Sequence, residues 1–126
     1  MRRCILVVED ELDLLQLVRD VLRMEGYDIV STSDPRQMDD VLAGKHPDLF
    51  LLDVMLPGTS GIELARELRE RGFGDTPMIA MSASRAMTAF ARQSGEFQAV
   101  IDKPFDIDGL LGEIERCIAS SIEACS

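Results

Sequence analysis

Leu49-Phe50-Leu51-Leu52-Asp53-Val54-Met55-Leu56 carries a single charge among eight residues. A strand with one wet face alternates apolar and polar residues, but the run from Leu49 to Leu52 is continuously apolar, as in a parallel sheet covered on both sides. Four similar runs occur at about Ile5 to Val8, Ile29 to Thr32, Met78 to Met81 and Ala99 to Ile101. Between them the apolar spacing becomes helical. Leu14, Leu15, Val18, Val21 and Leu22 form one stripe over Leu12 to Glu25, with Gly26 at its end. Asp34-Pro35 opens a second helix with a capping side chain and a proline at the first helical position; Met38, Val41 and Leu42 follow, and Gly44 closes it. Ser60 and Glu63 fit a capping box ahead of Ile62, Leu64, Ala65 and Leu68, with Gly72 as the stop. A fourth helix is expected from Arg85 to Ser94, carrying Met87, Phe90 and Ala91 and ending at Gly95. The fifth runs from about Ile107 to Ile122 with Leu110, Leu111, Ile114, Ile118 and Ile122, fraying toward Cys125.

Strand and helix therefore alternate five times, which predicts an α/β fold: a doubly wound, five-stranded parallel sheet with helices on both faces. Periodicity alone leaves the strand order open. The 126 residues are expected to form one domain, with a core over about 4–122 and residues 119–126 a tail or the start of a linker. Apolar and charged fractions of 46% and 29% exclude a disordered polyelectrolyte, and a net charge of -10 argues against direct nucleic-acid binding. Arg2-Arg3 begins like a signal peptide, but the apolar run after it stops at Glu9, and no stretch is long enough for a membrane helix. Cys4, Cys117 and Cys125 show neither CxxC nor Cys/His spacing, so free thiols and a cytoplasmic location are expected.

The C-terminal ends of parallel strands share one edge, and ligands of open α/β sheets bind there where strand order reverses. On that edge the first strand delivers Glu9 and Asp10, the third Asp53, the fourth Ser82 and the fifth Asp102-Lys103-Pro104. The second supplies only Ser33 and Asp34. Taken singly, an acid after Val8 caps a helix, Ser82 is a turn hydroxyl and Lys103 is a solvated lysine. Asp53 resists such a reading, because an ionised carboxylate inside an apolar run is costly unless paired. Glu9, Asp10 and Asp53 in close quarters repel one another, raising at least one pKa unless a cation sits among them. Oxygen donors without His or Cys suit Mg²⁺, or Mn²⁺, which binds phosphate oxygens as well. One carboxylate could then attack a phosphoryl donor to give an acyl phosphate, with the lysine and the hydroxyl stabilising the transferred group.

Val7-Val8-Glu9-Asp10-Glu11, Leu52-Asp53-Val54-Met55-Leu56-Pro57-Gly58 with Gly61, Thr76-Pro77 before Met81-Ser82-Ala83, and Lys103-Pro104-Phe105 occur in order. Together they resemble the receiver domain of two-component response regulators, including single-domain chemotaxis-type regulators, over about residues 4–122. The resemblance implies a flavodoxin-like sheet of order 2-1-3-4-5. It implies that Asp53 is the phosphoacceptor for a sensor histidine kinase or phosphotransfer protein. Asp10 would hold Mg²⁺ directly and Glu9 through water, joined by Asp53 and the main-chain carbonyl of Met55. Ser82 would bond the phosphoryl group, Lys103 would pair with it, and Lys103-Pro104 would be cis.

Such a domain is no enzyme beyond accepting its own phosphoryl group and slowly hydrolysing it. Its output would pass through the face of helix four, strand five and helix five to an effector or output domain, or through a homodimer. One position departs from the family: Val100 stands where Tyr or Phe is usual, and neither Phe97 nor Phe105 occupies that place. Signal transmission is then left to other packing or to a change in dimerisation. Two other readings compete with this one. An interaction module working without phosphate draws support from Val100 alone, and an aspartyl phosphatase of the haloacid dehalogenase type needs a second Asp where Met55 stands.

Overall fold

A computed structural model describes residues 2–125, with side chains to Ser120, so the Ile122 and Cys125 side chains lie outside the described residues. In chain order the elements are β1 (Cys4–Val8), α1 (Leu12–Met24), β2 (Asp28–Thr32), α2 (Met38–Leu42), β3 (Leu49–Asp53), β4 (Met55–Leu56), β5 (Thr59–Ser60), α3 (Gly61–Leu68), β6 (Met78–Ser82), α4 (Arg85–Ser94), β7 (Ala99–Asp102) and α5 (Ile107–Cys125). Five strands form a parallel sheet ordered β2-β1-β3-β6-β7. Because β4 and β5 make a separate antiparallel hairpin, β6 and β7 are the fourth and fifth strands of the main sheet, and the expected order holds.

Side chains alternate across the sheet with the period of two that strand geometry imposes. Ile5, Val7, Leu49, Leu51, Ile79 and Met81 face a layer built on α1 and α5, where Leu15, Val18, Leu22, Leu110 and Ile114 are buried. Leu6, Val8, Phe50 and Leu52 face the opposite layer, against Met38 and Leu42 of α2 and Leu64, Ala65 and Leu68 of α3. Burial on both faces explains the unbroken apolar runs. Such burial is worth about 1.5–3 kcal/mol for each large side chain.

Helix ends follow the local punctuation, with two departures. Asp34 accepts the Arg36 N–H, but the segment after it is a 3₁₀ turn (Pro35–Gln37) that becomes α-helical only at Met38. Ser60 caps α3 by accepting the Glu63 N–H at 3.1 Å, whereas the Glu63 carboxylate takes the Thr59 hydroxyl rather than returning to Ser60. Only half of the capping box forms. After α3 a π-helical turn (Arg69–Phe73) carries the chain to Gly72, whose φ of 111° is closed to most side chains. The fourth helix has its expected span, capped by Ser84, and α5 continues past Ile122 to Cys125.

β3, β6 and β7 each extend one residue beyond their apolar runs. Asp53 pairs with Met81, and Ser82 pairs with Asp102. Strand pairing is made by backbone groups and is indifferent to a polar side chain. Asp53 and Ser82 are consequently last rungs of the sheet, whereas Glu9, Asp10 and Lys103 follow the ends of β1 and β7.

Candidate functional site

The sheet edge brings the ends of four strands together. Glu9 follows β1 and is wholly buried, its backbone N–H donating to the Thr32 carbonyl at 3.2 Å. Asp53 ends β3 at 4% exposure, and Ser82 ends β6 at 1%. Lys103 follows β7; its backbone N–H donates to the Ser82 carbonyl at 2.9 Å, and its peptide bond to Pro104 is cis. From there the side chain reaches across the edge. Lys103 Nζ donates to Glu9 Oε2 at 2.7 Å and to Asp53 Oδ2 at 3.0 Å.

The remaining oxygens are partly committed. Asp53 Oδ1 accepts the Met55 N–H at 3.1 Å, and Glu9 Oε1 accepts the Glu11 N–H at 3.1 Å. Asp10 is exposed at the rim, and one oxygen from each of Glu9, Asp10 and Asp53 lies within 4.8 Å of the other two. Three carboxylates therefore face one ammonium. Burial drives the Glu9 carboxyl up to about 7, against hydrogen bonds from Lys103 and Glu11 that favour its ionised form. Burial also disfavours the Lys103 ammonium, but the hydrogen bonds to Glu9 and Asp53 outweigh it, and its pKa is raised. The uncompensated negative charge fits a hard divalent cation, because every donor in the cluster is a carboxylate oxygen.

Ser82 belongs to the same edge but makes no hydrogen bond to Asp53; its Oγ accepts the Ser84 N–H at 3.1 Å. Met55 is exposed, and its N–H, rather than its carbonyl, touches Asp53. Val100 is half-buried against the cluster of Val54, Ala80 and Ala91, so it fills core space beside α4.

Gly61 opens α3 directly after its N-cap serine. A Cβ at this position would overlap the Asp53 carbonyl oxygen, while the Gly61 N–H donates to the Val54 carbonyl at 2.8 Å. The start of α3 is thereby held directly against the end of β3. A glycine following an N-cap serine was the only local signal.

Among the described residues no helix is long and apolar enough to cross a membrane. Cys4 and Cys117 are unpaired thiols. Comparison with known proteins agrees with the geometry. The phosphate regulon transcriptional regulatory protein PhoB of Pseudomonas aeruginosa is 43% identical over 82 residues, covering 64% of this chain and 36% of that protein. The chain thus matches little more than a third of that relative's length. A CheY-like receiver domain protein of Methanospirillum hungatei superposes with a TM-score of 0.87 at 22% identity, covering 98% of this chain and 99% of that one. The response regulator TrrA of Thermotoga maritima, solved in complex with Mg²⁺-BeF, gives 0.80 at 28% identity over 91% of this chain and 98% of its own. The profile of the response regulator receiver domain spans residues 5–115, from the first rung of β1 into α5 and across each polar strand end. On that breadth of agreement, the chain belongs to the response regulator receiver domains of two-component systems.

Proposed function

We propose that the domain accepts a phosphoryl group on Asp53 from the phosphohistidine of a sensor histidine kinase or phosphotransfer protein. The observation carrying this reading is the Lys103 ammonium fixed between Glu9 and Asp53. In the transfer, an Asp53 carboxylate oxygen forms a bond to phosphorus as the phosphorus–nitrogen bond of the donor breaks, and the electron pair departs on the imidazole nitrogen. Lys103 is already oriented to pair with the incoming phosphoryl oxygens. Ser82 uses its oxygen as an acceptor toward Ser84, which leaves its hydroxyl proton for a phosphoryl oxygen.

Asp10, Asp53, the Met55 carbonyl and, through water, Glu9 would hold Mg²⁺, with Mn²⁺ as a substitute. When bound, the ion neutralises phosphoryl oxygens during transfer. TrrA's complex with Mg²⁺-BeF supports this assignment by similarity. Slow hydrolysis of the aspartyl phosphate would end the signal, and the domain would act in the cytoplasm.

Output would leave through α4, β7 and α5 toward an effector or output domain, or through a homodimer. Val100 bears on that transmission and not on acceptance. Its place against the cluster of Val54, Ala80 and Ala91 makes repacking of α4, rather than rotation of a ring, the route we favour.

Treatment with acetyl phosphate and Mg²⁺, or with beryllium fluoride, followed by mass-spectrometric mapping of the former, tests the reading. Modification is expected at Asp53 and is lost in Asp53→Asn. An adduct that persists unchanged in the variant overturns it.

A further inference from the structure

The opposite edge of the sheet holds a cavity of about 540 Å³ where β1 and β2 begin, bounded by the last turn of α1 and the connection between α2 and β3. Five residues separate Cys4, in its wall, from Glu9, so roughly 16 Å of strand lies between this cavity and the acidic cluster. Its wall departs from the rest of the chain in charge. Ten residues at the average composition would include about one basic and two acidic side chains. This lining instead contains Arg2, Arg23 and Lys45 with the sole histidine, His46, against one acid, Asp28.

Asp28 already serves Arg2, at 3.6 Å. Among the described residues Arg23 and Lys45 have no carboxylate within ion-pair distance. Arg23 alone has a local explanation, since a cation in the last turn of α1 complements the helix dipole. Lys45 and His46 have none of that kind, because they arrive on a different connection after Gly44. Tyr27, Ile29 and Val30 are half-buried and supply apolar wall between the cations. The volume lies within the range of small-molecule sites, and guanidinium forks match phosphate and carboxylate oxygens.

We propose that this cavity binds a small, multiply charged organic anion, bearing phosphate or carboxylate groups on a partly apolar body. The site is independent of the chemistry at Asp53.

Titration of the ¹⁵N-labelled domain, without Mg²⁺, with inorganic pyrophosphate in one arm and citrate in another tests it by amide chemical shifts. Saturable shifts are expected at Cys4, at Tyr27 to Val30 and at Gly44 to His46, weakening as NaCl is raised. The stronger arm identifies the favoured anion group. Arg23→Gln combined with Lys45→Gln should weaken binding about tenfold or more, while Arg85→Gln, on α4, leaves it unchanged. Non-saturating shifts in both arms, or saturable binding equally strong in the double variant, would overturn the proposal. The substituted side chains are exposed, so the double variant should retain its backbone spectrum elsewhere.

Discussion

At the carboxyl edge of the sheet, Glu9, Asp53 and Lys103 are sealed against one another, whereas at the amino edge Arg2, Arg23 and Lys45 stand in water around an open cavity. Both edges gather charge from segments remote in sequence. Their energetics differ because a buried charge must be matched by a partner or a proton, while an exposed one is screened by solvent. The result is visible at Glu9, where burial drives the acid toward its protonated form against hydrogen bonds from Lys103 and Glu11. At the other edge Arg2, Arg23 and Lys45 are exposed to solvent, and only Arg2 has a carboxylate partner among the described residues.

The contrast is most directly broken by the chain's two lysines. Lys103→Ala should slow Asp53 phosphorylation by about 100-fold, since it removes a preorganised charge from the reacting oxygens. Lys45→Ala should leave that rate unchanged. Phosphorylation kinetics with acetyl phosphate decide the matter, and equal effects would dissolve the distinction between the edges.

Gly61→Ala comes next. The added methyl group would displace the Asp53 backbone or the start of α3, at a cost of about 1–3 kcal/mol in urea denaturation. The loss should be accompanied by slower phosphorylation, because the displaced peptide carries the nucleophile.

A smaller, pH-dependent effect follows from Glu9. Its carboxyl is raised from an ordinary 4.5 to about 7, so the folded state holds the proton more tightly than the unfolded chain does. The corresponding stability is fully present below about pH 4.5 and is lost as the pH rises through about 7. Mg²⁺ held at the proposed site would compete with that proton. The increase in Tm caused by Mg²⁺ should therefore be larger at about pH 8 than at about pH 6, and Glu9→Gln should flatten the difference.

The smallest effect belongs to the exposed pair. Arg2→Ala breaks an ion pair with Asp28 between side chains that are both more than half exposed, and should change stability by less than about 0.5 kcal/mol. A larger loss would mean that the amino edge is also a tightly packed site.

Much of the architecture was legible in the chain itself. Mostly apolar runs marked the five strands of the main sheet, and Ser60, Gly26 and Gly95 marked helix ends, because these signals act within a turn or two of backbone. The β4–β5 hairpin went unseen, since two-residue strands carry no periodicity. The second helix was overextended because Asp34-Pro35 specifies where a helical turn begins but not whether that turn is 3₁₀ or α.

At the site, residue types and the edge they occupy were also legible: Glu9, Asp10, Asp53, Ser82 and Lys103 stand where apolar runs stop. Which atoms meet was not. Lys103 reaches Asp53 across 50 positions of chain and Glu9 across 94, and those contacts exist only because the sheet places β1 beside β3 and β7 two strands away. The basic cavity built from three separate segments arises in the same way. Local pattern sets backbone state through neighbours a few residues apart, whereas charge balance and close approach depend on the order in which distant strands are laid side by side.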